Sequence, residues 1–224
     1  MTVSTASEKH MLELAKWCLS SDTKSNILDC GCGDGILVSY LKKYIASSSS
    51  STAQPSTSST AFQLYGIDIS TQMVAEARKS YPEATFAHGN FLNLDKDVFK
   101  ASFDAIVFNE CLHYFTDIYA VLYHAKQLLT ESNSDLYIYD NSNNTIQPST
   151  ISNTYTHPKR IIISHPKGYN NILLQRAKNK SLVPSLLPNT DEIRSLASRL
   201  GFKITLEPNT KANTYMAILE YDTV

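Results

Sequence analysis

Apolar residues recur along the chain in two alternating rhythms. Over residues 10–19, Met11, Leu14, Ala15 and Cys18 fall at i, i+3, i+4 and i+7, which predicts a short helix with one buried stripe. Ile27 and Leu28 end a short apolar run, and ILVSYLKKYI from residue 36 returns to the helical period, so a tight loop separates a strand from a helix. FQLYGIDI (62–69) reads as a second strand, and the helix TQMVAEARKSY behind it puts Met73, Ala77 and Tyr81 on one face. EATFAHGNF is a third strand. FDAIVFNE is a fourth, almost continuously apolar as a parallel strand covered on both faces should be. A helix over about 117–129 and a fifth strand in SDLYIYDN follow. Repeated alternation of strand and helix predicts a doubly wound α/β sheet, mostly parallel.

Two segments break the rhythm. Residues 46–60, ASSSSSTAQPSTSST, carry no side chains able to offset the entropy of ordering and predict a disordered surface loop. Over 141–188, asparagine, proline, tyrosine and isolated apolar runs replace regular alternation. Asn189 with Glu192 then has capping-box spacing for the helix DEIRSLASRL, which Gly201 ends, and FKITLE and NTYMAILEY close the chain as an antiparallel pair. The expectation is one domain over 1–224, with a disordered loop at 46–60 and a lid inserted at 141–188.

Composition narrows the classes. A chain of 224 residues with 42% hydrophobic content can bury an ordinary core, and a net charge of -1 gives no global attraction to nucleic acid or an anionic membrane. No apolar run is long enough to cross a bilayer and MTVSTASEKHMLELAKW lacks a signal-peptide pattern, so a soluble cytoplasmic protein is expected. Cys18, Cys30, Cys32 and Cys111 complete no zinc spacing or disulfide framework and read as small buried residues.

Three of the seven glycines lie within ILDCGCGDG (27–35). Glycines at alternate positions let the backbone approach a ligand, and the helix that follows points free N–H groups into the same space. A dinucleotide loop would place its last glycine at position 36, where Ile36 stands, so the spacing argues against NAD. Asp29 would repel a pyrophosphate and favours a cationic or N–H-bearing group, such as an amino-acid end. Asp68, closing the second strand, can accept from both hydroxyls of a ribose.

ILDCGCGDG, LYGIDIS, HGNF and FDAIVFNECLHYFTD, in that order, resemble the successive motifs of the class I S-adenosylmethionine-dependent methyltransferases, and FDAIVFNECLHYF is similar to the small-molecule branch that includes ubiquinone and menaquinone biosynthesis enzymes. The resemblance spans residues 25–140. It implies a Rossmann-like, mostly parallel seven-stranded sheet with an antiparallel last strand and a lid after strand five, and S-adenosyl-L-methionine as cofactor. It also implies that Asp29, Gly31, Cys32 and Gly33 lie near the methionyl end, that Asp68 binds the ribose, that Ile69 and Phe91 flank the adenine, and that Asn109 faces the methionyl group and acceptor. Asn90 stands where many relatives carry an aspartate, and its amide oxygen can accept from the adenine amino group.

His113, four residues past Asn109, is the candidate general base for a hydroxyl acceptor, with an imidazole of near-neutral pKa, and Tyr114 is a candidate pocket wall. Asp140 and Asn141 resemble the pair of catechol-type O-methyltransferases, but Asn109 replaces that family's fourth-strand acid and Glu110 is one position out of register, so no metal is expected. Between Asp140 and Asp191 there is no acid, while Lys159, Arg160, Lys167, Arg176, Lys178 and Lys180 supply six positive charges. With that tract read as the lid, Lys159, Arg160 and Arg176 become substrate-binding candidates and the acceptor a small anionic metabolite. The alternative is a cofactor-binding scaffold without turnover, or one that holds RNA on the basic tract.

Overall fold

The computed structural model of the protein describes residues 5–19, 24–48, 62–130, 137–140, 145–148 and 158–221. Their elements run α1 (Thr5–Cys18), β1 (Ser25–Cys30), α2 (Leu37–Ser48), β2 (Phe62–Asp68), α3 (Thr71–Ser80), β3 (Thr85–His88), β4 (Ala105–Asn109), α4 (Ile118–Thr130), β5 (Tyr137–Asp140), β6 (Thr145–Pro148), β7 (Lys159–His165), α5 (Gly168–Lys178), α6 (Thr190–Leu200), β8 (Lys203–Leu206) and β9 (Tyr215–Tyr221).

Seven strands form one sheet in the order β3-β2-β1-β4-β7-β9-β8. Neighbours from β3 to β7 are parallel, and β9 runs antiparallel to both β7 and β8. This is the expected doubly wound sheet with an antiparallel last strand. The strand order reverses between β1 and β4, which is where open α/β sheets bind ligands beyond the carboxyl ends of their strands. Two apolar clusters cover the faces. One gathers Leu28, Phe108, Ile161, Ile163 and Leu122 under α4 and α6; the other gathers Leu14, Ile27, Leu41, Val107 and Ile162 under α1 and α2. Consecutive β4 residues go to opposite clusters, which is why FDAIVFN reads as one unbroken apolar run.

Local signals hold at both ends. Met11, Leu14, Ala15 and Cys18 are all buried on α1, the Asn189–Glu192 capping box starts α6, and Gly201 ends it. On α3, Val74 and Ala77 are the buried residues, while Met73 is exposed. Helix α2 continues to Ser48, three residues into the tract expected as a loop, and the rest of that tract lies outside the described residues.

The fifth parallel strand differs from expectation. Tyr137–Asp140 pairs antiparallel with Thr145–Pro148 in a separate two-stranded sheet, and the place beside β4 belongs to Lys159–His165. KRIIISH carries a run of three isoleucines that seals both faces of a central strand, whereas YIYD alternates. The segment expected as a lid over 141–188 therefore contains a core strand, and Asp140 is not at the end of the strand beside β4.

That placement corrects two substrate-binding expectations. Lys159 and Arg160 open β7, at the opposite end of the sheet from the carboxyl ends of the parallel strands. The Lys159 ammonium is buried, donating to the Phe103 carbonyl at 2.7 Å and to Asp104 Oδ1 at 2.9 Å. The Arg160 guanidinium pairs with Glu220 at 2.8 Å on the adjoining strand. Asp104 also accepts from the Asn26 N–H at 2.8 Å, so one carboxylate ties together the starts of β1, β4 and β7. Breaking such a pair leaves a buried ammonium uncompensated. We expect Asp104→Ala to cost about 3 kcal/mol in urea denaturation, with affinity for S-adenosylhomocysteine unchanged where the variant is folded.

Candidate active site

Beyond the ends of β1, β2 and β4 lies a cavity of about 410 Å³, lined by Gly31, Ile67, Asp68, Ile69, Gly89, Asn90, Phe91, Asn109, Glu110, Cys111, Tyr114 and Phe115. Chain crossing at the sheet's switch point forms it. Both Gly31 N–H and Cys32 N–H donate to the Ile67 carbonyl, at 2.8 and 3.1 Å, so the loop after β1 folds over the end of β2. At Gly31 φ is +66°, and a Cβ there would lie 2.7 Å from Cys111 Cβ, so no other residue fits without displacing the β4 side of the cavity. At Gly33, φ is +54° and a Cβ would meet nothing within 4 Å, which leaves open space over the loop for a ligand.

Asp68 fixes the second wall. Its Oδ2 accepts from Gly33 N–H at 2.9 Å and its Oδ1 from Ser70 N–H at 2.8 Å, so the carboxylate joins the glycine loop to the start of α3. Each oxygen keeps lone-pair capacity toward the cavity, as ribose binding requires. Ile69 is 75% exposed and Tyr114 51% exposed, both on the cavity wall, so two large side chains stand ready to be covered by a bound molecule. Phe91 is buried edge-on against Phe108, with ring centroids 5.2 Å apart, and backs the wall. Asn90 caps the turn at Phe91–Asn93 by accepting from Leu92 N–H at 3.0 Å, which leaves one lone pair on its amide oxygen for an adenine amino group.

Asp29 lies beneath the loop, 4% exposed, and burial, reinforced by Asp68, raises its carboxyl to about 8. Asn109 Oδ1 is buried without a hydrogen-bond partner, while its Nδ2 lies 3.8 Å from Met11 Sδ. A carboxyl held protonated by desolvation and an orphaned amide oxygen both suit a ligand that brings N–H donors, as the methionyl ammonium of S-adenosylmethionine does. Cys32 is buried rather than cavity-lining, and its N–H is already used by Ile67.

His113 stands behind the wall. It is 1% exposed, both ring nitrogens lack a partner, and burial lowers its pKa to about 4 rather than leaving it near neutral. Its ring sits 5.5 Å from that of His165, which is lowered to about 4 by burial first and then by His113, Lys167 and His10. The cavity wall at this turn is Tyr114. Arg176 lines a different cavity, of about 510 Å³ between α4 and α6, where it donates to the carbonyls of Val183 and Pro184. Glu110, which sequence reasoning weighed only as a metal ligand, lines the cofactor-side cavity. Its placement depends on a backbone turn with φ +58° that no composition or periodicity reveals.

Residues 28–133 match the family model of the methyltransferase domain. With the sheet order and the glycine loop, that match marks residues 28–133 as a methyltransferase domain of the kind that uses S-adenosylmethionine as cofactor. The fold is shared with a chain of the complex between the Haloferax volcanii Trm112 methyltransferase activator and a putative methyltransferase (TM-score 0.60, 14% identity, 95% of this chain and 89% of that one). It is shared also with the plantazolicin methyltransferase BpumL in complex with SAH (0.59, 15%, 97% and 86%). Mitomycin 7-O-methyltransferase MmcR is similar at 0.60 and 11% identity over 97% of this chain, which spans 55% of that protein. No curated protein sequence matches the chain.

The Asp29 carboxyl sets a pH dependence. Its folded pKa lies above the unfolded value, so the folded state without cofactor holds the extra proton and loses stability as pH rises from about 4 to about 8. An ammonium ligand placed against Asp29 would favour the ionised form, and binding below about pH 8 would then release a proton. Affinity for S-adenosylhomocysteine should rise with pH by up to about tenfold per unit between roughly pH 6 and 8, the limit for one proton. Calorimetry in buffers of different ionisation enthalpy measures that release, and Asp29→Asn should flatten the profile.

Proposed function

We propose that the protein transfers the methyl group of S-adenosylmethionine to a small organic acceptor that enters against Tyr114, Glu110 and Asn109. The observation that carries this reading is the half-exposed Tyr114 ring on the wall of a 410 Å³ cavity, a volume within the ordinary range of small-molecule sites. When bound, the cofactor supplies an electrophilic methyl on a sulfonium, which leaves the protein to orient the acceptor and take up any proton it sheds. In this reading Asp68 holds the ribose, Asp29 and Asn109 the methionyl end, and Ile69 and Phe91 the adenine. Lys159 and Arg160 are committed to Asp104 and Glu220, and Arg176 lines the second cavity, so none of the three supports an acidic acceptor at the first. The same commitments weaken the RNA-holding alternative, which needs those charges free on one surface.

His113 serves this reading as an uncharged group that supports the Tyr114 turn. We expect His113→Gln to keep turnover within roughly threefold, rather than to show the ~10²–10⁴ loss that removal of a positioned base brings. The function itself is tested with methyl-labelled cofactor and a panel of small amines, phenols and carboxylic acids. Label recovered in a small product is the expected result; label recovered only in added RNA would overturn the reading.

A further inference from the structure

We propose that Glu110 recognises the acceptor and takes its proton, and that the acceptor is a small amine. The inference rests on the methyl-transfer reading of the same cavity. Glu110 is the first residue after β4, and its N–H still donates to the Ser164 carbonyl at 2.9 Å, extending the β4–β7 ladder by one bond. There the backbone turns into the left-handed region, at φ +58°. Among the described residues Lys100 is the only other non-glycine residue with positive φ. A glutamate held in that conformation, where glycine is favoured, on the wall of a ligand cavity points to use of its side chain.

The Glu110 carboxylate makes no hydrogen bond or ion pair with any described residue. Lys167, in the turn after β7, acts on it electrostatically from beyond ion-pair distance. Asp68, the other charged residue of the wall, is committed to Gly33 and Ser70 N–H groups, and no lysine or arginine lines the cavity. The remaining wall carries the exposed Tyr114 ring, whose face attracts a cation. A carboxylate with no bonded partner among the described residues, on the same wall as an open aromatic ring and with no cation in that wall, selects a protonated nitrogen over a carboxylate or phosphate. Burial also raises the Glu110 carboxyl above its ordinary range, against a smaller opposing pull from Lys167, which strengthens it as a base.

The step balances without a further reactant. An ammonium acceptor gives one proton to Glu110 or to solvent; the freed lone pair forms the N–CH₃ bond as the S–CH₃ bond breaks, its electron pair staying on sulfur. Glu110 passes its proton on to solvent, and the methylated nitrogen, now an ammonium, leaves as that cation or gives its own proton to the regenerated carboxylate.

The test uses wild type, Glu110→Gln and Glu110→Gly, with benzylamine, phenethylamine and tyramine set against phenol, benzoate and phenylacetate, all with methyl-labelled cofactor. We expect the wild type to methylate nitrogen in the amine set, and both variants to bind S-adenosylhomocysteine as tightly as wild type. Both should lose amine turnover by ~10²–10⁴ and lose the acidic limb of its pH profile. The glycine variant, freed of the left-handed strain, should melt no lower than wild type, which separates lost chemistry from lost folding. Methylation of phenol or the carboxylates alone overturns the proposal, as does failure of all three amines to be methylated or to bind the S-adenosylhomocysteine complex. A parallel loss of S-adenosylhomocysteine affinity in Glu110→Gln also overturns it, by making Glu110 a cofactor residue. Failure of the wild type to bind S-adenosylhomocysteine would strike instead at the methyl-transfer reading.

Discussion

One carbonyl organises the site. Ile67 O receives the N–H groups of Gly31 and Cys32, and this shared acceptor forces the chain leaving β1 to fold over the end of β2. Nothing with a Cβ can stand at Gly31 while Cys111 presses from β4, so three strand ends converge within contact distance. Asp68 then locks the loop from the far side through Gly33 and, through Ser70, sets the first turn of α3. The cavity is the space this closure leaves above the loop.

The electrostatics follow from the same convergence. Asp29 and Asp68 are drawn together under and beside the loop, and the cost appears as a carboxyl at Asp29 that stays protonated at neutral pH. The protein without cofactor avoids a carboxylate pair there by keeping Asp29 neutral, chiefly because Asp29 is buried. On the same cavity wall, Glu110 makes no hydrogen bond or ion pair with any described residue.

Much of this was legible in the sequence because it depends on local rules. Periodicity marked α1 with its buried stripe, the capping box and Gly201 bounded α6, and the glycine spacing with Asp68 marked the loop that folds over the end of β2. What was not legible depends on competition between distant segments. YIYD and KRIIISH both read as apolar runs, and only pairing against β4 decides which enters the sheet; the isoleucine run wins because both of its faces are buried. Once KRIIISH is a core strand, its lysine and arginine must find carboxylates at the sheet's other end, and a charge tract that looked like a substrate lid becomes part of the scaffold. Positions such as Glu110 depend on a single backbone torsion, and no residue pattern signals it. Burial likewise took His113 from a near-neutral base to an uncharged core imidazole.

The sheet's central strand β7 arrives late in the chain. Helix α4 ends at Thr130 and the partner of β4 begins only at Lys159. During synthesis, β1 to β4 can pair and cover their faces while the outer edge of β4, four apolar residues and Asn109, stays unpaired until the isoleucine run emerges. An unpaired apolar edge is a template for the wrong strand, and YIYD reaches it first. The separate pairing of β5 with β6 occupies that competitor in a hairpin of its own. A short local hairpin closes faster than a crossover to a distant strand. In the folded chain the β5 segment is paired with β6, and the edge of β4 is filled by β7.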